Sequence, residues 1–83
     1  MSKKRILIAD DEPNIVISLE FLMTQAGFEV ESFGSGEAAL DAIRRNPPDV
    51  LLLDVMLPVR DGFEVCQTIR QNPSLARLKI VML

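Results

Sequence analysis

A chain of 83 residues, 48% apolar and 25% charged, has room for a single modest core, since folding at this size buries roughly 60–65% of the extended surface. Twelve acidic residues against nine basic ones leave a net charge of −3. The one basic run, Lys3-Lys4-Arg5, reads as a solvated lead-in to a strand, so nothing points to nucleic acid or an anionic membrane. No apolar stretch reaches the ~18 residues of a membrane-spanning helix, no signal-peptide pattern opens the chain, and a lone Cys66 excludes an internal disulfide; a reducing cytoplasm is expected.

Ile6 to Ala9 is a short, continuous apolar run closed by acid, the pattern of a strand covered on both faces. Pro13 suits the first turn of a helix, where its missing N–H costs nothing. Asp11 and Glu12 stand at the positive end of that helix's dipole. Ile15, Val16, Leu19, Leu22, Met23 and Ala26 follow at helical spacing, and Gly27 supplies the stop. Phe28, Val30 and Ser32 then alternate with Glu29, Glu31 and Phe33, predicting a strand with one wet face, at an edge.

Ser35 can cap a second helix through Ala38, Ala39, Leu40 and Ile43, ending before Pro47-Pro48. Val50 to Leu53 is a second fully apolar strand, closed by Asp54. Asp61 and Glu64 have capping-box spacing for a third helix carrying Val65, Cys66 and Ile69, with Pro73 beyond its end. Lys79 to Leu83 begins a fourth strand. Cys66, Phe33 and Phe63 are expected in the core.

The resulting order, β-α-β-α-β-α-β, predicts an α/β fold built on a parallel sheet. Ligand sites in such sheets lie outside the carboxyl ends of the strands, at the point where the winding switches faces. Asp10 and Asp54 each terminate an apolar strand, which puts them at that edge.

Asp10, Asp11 and Asp54 therefore bring three carboxylates together. Such groups repel, and at least one pKa rises unless a cation compensates. Asp11 or Glu12 alone is explained by the helix dipole. Asp54 is harder to explain that way, because a carboxylate straight after four buried apolar residues needs a specific reason to be there. Magnesium supplies one, since it takes oxygen ligands and commonly uses one or two carboxylates plus a phosphate. Asp11 and Asp54 can provide the carboxylates, with Asp10 acting directly or through water. A carboxylate can also act as a nucleophile and form an aspartyl phosphate, with the metal offsetting anion repulsion.

Rival chemistries fit less well. A flavin or nucleotide module needs a Gly- or Ser/Thr-rich loop after the first strand, and Asp-Asp-Glu-Pro-Asn repels phosphate. A haloacid-dehalogenase-like phosphatase needs an Asp two residues after its nucleophile, where Glu12 stands, and it leaves Asp54 unexplained. The chain has no histidine, which removes imidazole catalysis and His-ligated zinc.

Ile-Leu-Ile-Ala-Asp-Asp-Glu-Pro at 6–13, Asp-Val-Leu-Leu-Leu-Asp at 49–54 and Leu-Pro-Val-Arg-Asp-Gly at 57–62 resemble the receiver domain of two-component response regulators. Gly27, Gly36-Glu37-Ala38-Ala39-Leu40 and Pro48-Asp49 fit the same pattern, so the resemblance covers the whole chain. It implies a flavodoxin-like, doubly wound parallel sheet of strand order 2-1-3-4 and phosphotransfer from a sensor histidine kinase to Asp54. It further implies Mg2+ held by Asp11, Asp54 and the backbone carbonyl of Met56, with Asp10 assisting through water. Pro58 and Gly62 match positions that shape the loop after the acceptor. Met56 matches a position that tunes phosphoryl lifetime, where a bulky apolar side chain should hinder the attacking water. Arg60 reads as a solvated loop cation.

Against the family pattern, residues 1–83 are expected to be the N-terminal portion of one receiver domain. Helix four, strand five, helix five, and the Ser/Thr and Lys that complete the phosphoryl site are missing. The expected role is that of a phosphoacceptor and not an enzyme. The alternative is a phosphorylation-incompetent fragment that dimerises or assembles through the exposed fourth strand.

Overall fold

The computed structural model describes residues 3–58 and 61–83. Among the described residues four strands and three helices alternate: β1 (Arg5–Ala9), α1 (Pro13–Gln25), β2 (Glu29–Phe33), α2 (Gly36–Arg45), β3 (Val50–Leu53), α3 (Gly62–Arg70) and β4 (Lys79–Met82). A single 3-10 turn, Pro73–Leu75, precedes β4. It is too short to leave a periodic trace in the sequence. Asn72 caps it, its side chain accepting from the Ser74 N–H at 3.0 Å.

All pairings are parallel, in the order β2-β1-β3-β4. β1 and β3, the two apolar runs, take the interior positions, where each strand is covered on both faces. The alternating β2 takes an edge. In β1, Leu7 and Ala9 face one side of the sheet while Ile6 and Ile8 face the other, as the two-residue period requires. Leu7, Ala9, Leu51 and Leu53 pack beneath Ala39, Leu40 and Ile43 of α2 and Val65 and Ile69 of α3. Ile6, Ile8 and Leu52 pack with Leu19 and Met23 of α1 on the opposite side. Helices therefore cover both faces, and the flavodoxin-like, doubly wound arrangement with strand order 2-1-3-4 is present.

The caps fall where side-chain chemistry places them. Ser35 Oγ accepts from Ala38 N–H at 3.3 Å, and Asp61 Oδ1 accepts from Glu64 N–H at 2.9 Å. Such caps each stabilise a helix by about 1 kcal/mol. Gly27 ends α1 at a φ of 95°, in the left-handed region that penalises any side chain.

One expectation about packing is corrected, and one face is more open than its pattern alone conveys. The apolar stripe of α1 is not a buried face: α1 has no buried residue, and Ile15 and Leu22 are 45% and 55% exposed. Periodicity reports that a face is apolar, not that something covers it, and among the described residues only α1 lies on its side of the sheet. Phe63 is not a core residue either, being 65% exposed. Gly62, Val65 and Ile69 define the buried face of α3, and a residue one step after Gly62 is turned about 100° away from it. Phe33 and Cys66 are partly buried against the main core, as expected.

Candidate functional site

The winding reverses between β1 and β3. The chain leaves β1 towards β2 on one side and leaves β3 towards β4 on the other. Backbone hydrogen bonds tie these strand ends together. Asp54 N–H donates to the Ala9 carbonyl at 2.9 Å, and Asp10 N–H donates to the Phe33 carbonyl at 3.1 Å. The residues after the two central strands are thus held side by side by the ladder itself.

Asp10, Asp11 and Asp54 meet there, each offering a carboxylate oxygen within 4.8 Å of the others. Their environments differ. Asp10 is 2% exposed, Asp54 is partly buried and Asp11 is exposed. Asp10 Oδ1 accepts from Glu12 N–H at 2.9 Å, while its buried Oδ2 has no partner. Asp54 Oδ1 accepts from Met56 N–H at 3.0 Å, which sets the Met56 peptide beside the Asp54 carboxylate. Glu12 belongs to the helix instead, accepting from Asn14 N–H at 3.4 Å as the cap of α1.

The Asp10 carboxyl is pushed above its ordinary range, first by burial, then by the charge and hydrogen bonding of Asp54 and the charge of Asp11; the Glu12 N–H pulls it back in part. A buried acceptor with no donor, next to two more carboxylates, is costly unless a positive charge joins it. That orphaned oxygen makes the donor set fit a hard divalent cation, which takes only oxygen ligands.

Gly62 shapes the floor of the site. Its N–H donates to the Val55 carbonyl at 2.9 Å, and a Cβ there would come within 2.8 Å of Val55 Cα and 2.9 Å of the Asp54 carbonyl carbon. Only glycine lets α3 start this close to the Asp54 backbone. The Asp-Gly pair after Leu57-Pro58 marked a loop, but the close approach depends on how α3 docks. Val59 and Arg60, the latter expected as a solvated loop cation, lie outside the described residues.

The site is the acidic switch point of a doubly wound α/β domain. Residues 6–83 match the response regulator receiver domain, and the chain belongs to that family; it is a receiver of two-component signalling. It is 44% identical over 69 residues to the alkaline phosphatase synthesis transcriptional regulatory protein PhoP of Bacillus subtilis, covering 83% of this chain and 29% of that protein. A putative response regulator from Chloroflexus aurantiacus superposes with a TM-score of 0.95 at 41% identity, covering 98% of this chain and 66% of the solved one. The receiver domain of the sensor histidine kinase PA1611 from Pseudomonas aeruginosa, solved with a magnesium ion coordinated in its active-site cleft, superposes with a TM-score of 0.92 at 27% identity over 98% of this chain and 66% of that one. The chain thus spans less than a third of the PhoP relative and about two thirds of these solved chains.

Family membership corrects one expectation. The exclusion of enzyme activity does not stand, because receivers are phosphoacceptors with autophosphatase activity. Among the described residues no helix is long and apolar enough to cross a membrane.

Proposed function

We propose that Asp54 accepts a phosphoryl group from the phosphohistidine of a sensor histidine kinase, in a transfer that depends on Mg2+. The observation that carries this reading is the convergence of Asp10, Asp11 and Asp54 around a buried, unpartnered carboxylate oxygen at the switch point. Asp11 and Asp54 would hold the ion, with the Met56 carbonyl as a further ligand and Asp10 acting through water. When bound, Mg2+ offsets the repulsion between the acceptor carboxylate and the incoming phosphoryl oxygens. Asp54 is the acceptor of choice because it is partly open to solvent, whereas Asp10 is closed off. Its Oδ1 is oriented by the Met56 N–H, leaving Oδ2 for attack. The magnesium-bound PA1611 receiver supports the choice of metal.

The shares of the solved receivers that are covered support reading residues 1–83 as the N-terminal portion of one receiver domain. A free cysteine and a family that receives from sensor kinases support a cytoplasmic setting. The inert, self-assembling fragment is the weaker reading, because it leaves the acidic cluster without a purpose.

Incubation with Mg2+ and acetyl phosphate, followed by intact-mass analysis, tests the acceptor. A single phosphoryl adduct that disappears in Asp54→Ala and in the presence of EDTA is expected. An adduct that persists in Asp54→Ala would move the acceptor elsewhere, and a folded, metal-binding chain without any adduct would favour the inert fragment.

A further inference from the structure

Beside the acidic cluster lies a cavity of about 550 Å³, bordered by Asp11, Met56, Leu57, Pro58, Asp61 and Phe63. Its walls are unusual for a loop. Met56 is 78% exposed and Phe63 is 65% exposed, so neither side chain is spent on the core. Large apolar side chains that border one cavity beside a polar site mark a binding surface more often than a packing one. Their backbones are tied to Asp54: the Met56 N–H is bound to its carboxylate, and Phe63 follows Gly62, which abuts the Asp54 backbone.

We propose that Phe63, flanked by Met56, is a specificity residue for the phosphodonor, a platform on which a flat, positively charged leaving ring stacks while Asp54 attacks. The inference rests on Asp54 being the acceptor. An aromatic face attracts a cation, and Asp11 and Asp61 at the cavity border add negative charge of the complementary sign. The thioether of Met56 suits contact with a ring edge. The occupant is therefore an N-phosphorylated imidazole protonated on its far nitrogen. In the transfer, Asp54 Oδ2 forms the new O–P bond, the P–N bond breaks, its electron pair stays on nitrogen, and neutral imidazole leaves. The ring is cationic before transfer and neutral after it, so the platform holds the donor and releases the product.

Two donors separate this from the acceptor chemistry. Phosphoimidazole leaves as a ring and phosphoramidate leaves as ammonia, and both need the same carboxylates and Mg2+. Initial rates of Asp54 phosphorylation by each donor are measured by intact mass on the full chain, and the ring-to-ammonia rate ratio is compared across variants whose fold is checked by circular dichroism. Phe63→Ala and Phe63→Leu should each lower that ratio about three- to fivefold, the range of a solvent-exposed cation–aromatic contact, and Phe63→Tyr should keep it. An unchanged ratio in Phe63→Ala overturns the proposal. So does a ratio retained in Phe63→Leu, which would make bulk rather than the aromatic face responsible. Failure of both donors to phosphorylate wild type would instead sink the acceptor reading, and the platform with it.

Discussion

The carboxylate of Asp10 is almost wholly removed from water, yet one oxygen accepts a single backbone hydrogen bond and the other none. Its folded-state pKa lies above the ordinary value of 3.8, so folding favours its protonated form. The sign of the linkage follows. This group's penalty is absent below pH ~3.8, grows as pH rises towards the folded pKa, and is complete above it. Asp10→Asn keeps an acceptor for the Glu12 N–H and turns a donor towards Asp54. It should therefore stabilise the metal-free protein at neutral pH by about 1 kcal/mol, or roughly 4–8 °C in Tm. The advantage should vanish near pH ~4 and narrow when Mg2+ is added, because the wild-type carboxylate gains a partner. Thermal unfolding across that pH range, with EDTA or with Mg2+, checks this; a variant less stable than wild type at neutral pH in EDTA would contradict it. The sequence made the three acids visible, because each follows or adjoins an apolar strand. It did not disclose that Asp10 is the buried one, since burial depends on how α1 and the loop after β3 close over it.

Two glycines at element ends separate local conformational cost from damage to the site. Gly27 needs its left-handed backbone but has nothing within 4 Å of a would-be Cβ. Gly27→Ala should cost about 1–2 kcal/mol and leave Mg2+ affinity unchanged. Gly62 meets the Asp54 and Val55 backbone, so Gly62→Ala should cost about 1–3 kcal/mol and also weaken Mg2+ binding by displacing Asp54. Denaturant unfolding paired with Mg2+ titration distinguishes them; equal Mg2+ affinities in the two variants would break the link from α3 to Asp54. The elements themselves were largely legible. Unbroken apolar runs marked β1 and β3, alternation marked β2, and Ser35 and Asp61 announced α2 and α3. Less legible were the outward turn of Phe63 and the open stripe of α1. Both depend on how a helix sits against its neighbours, which spacing along one chain does not encode.

At the scale of the molecule, the sheet is covered unevenly. The α2 and α3 side holds most of the buried core, whereas among the described residues the α1 side has only Ile6, Ile8 and Leu52 buried. Val81, opposite Leu52 in β4, is about half exposed on the thinly covered side, at the sheet's outer edge. The same unevenness has a consequence for local opening. Elements with few buried contacts unfold most readily on their own, and α1 is such an element. Asp11 lies just ahead of its Glu12 cap, while Asp54 directly follows β3, one of the best-anchored strands. A cation shared by the two would tie the helix most prone to fray to a strand least able to move, so ligand binding and the order of α1 would rise and fall together.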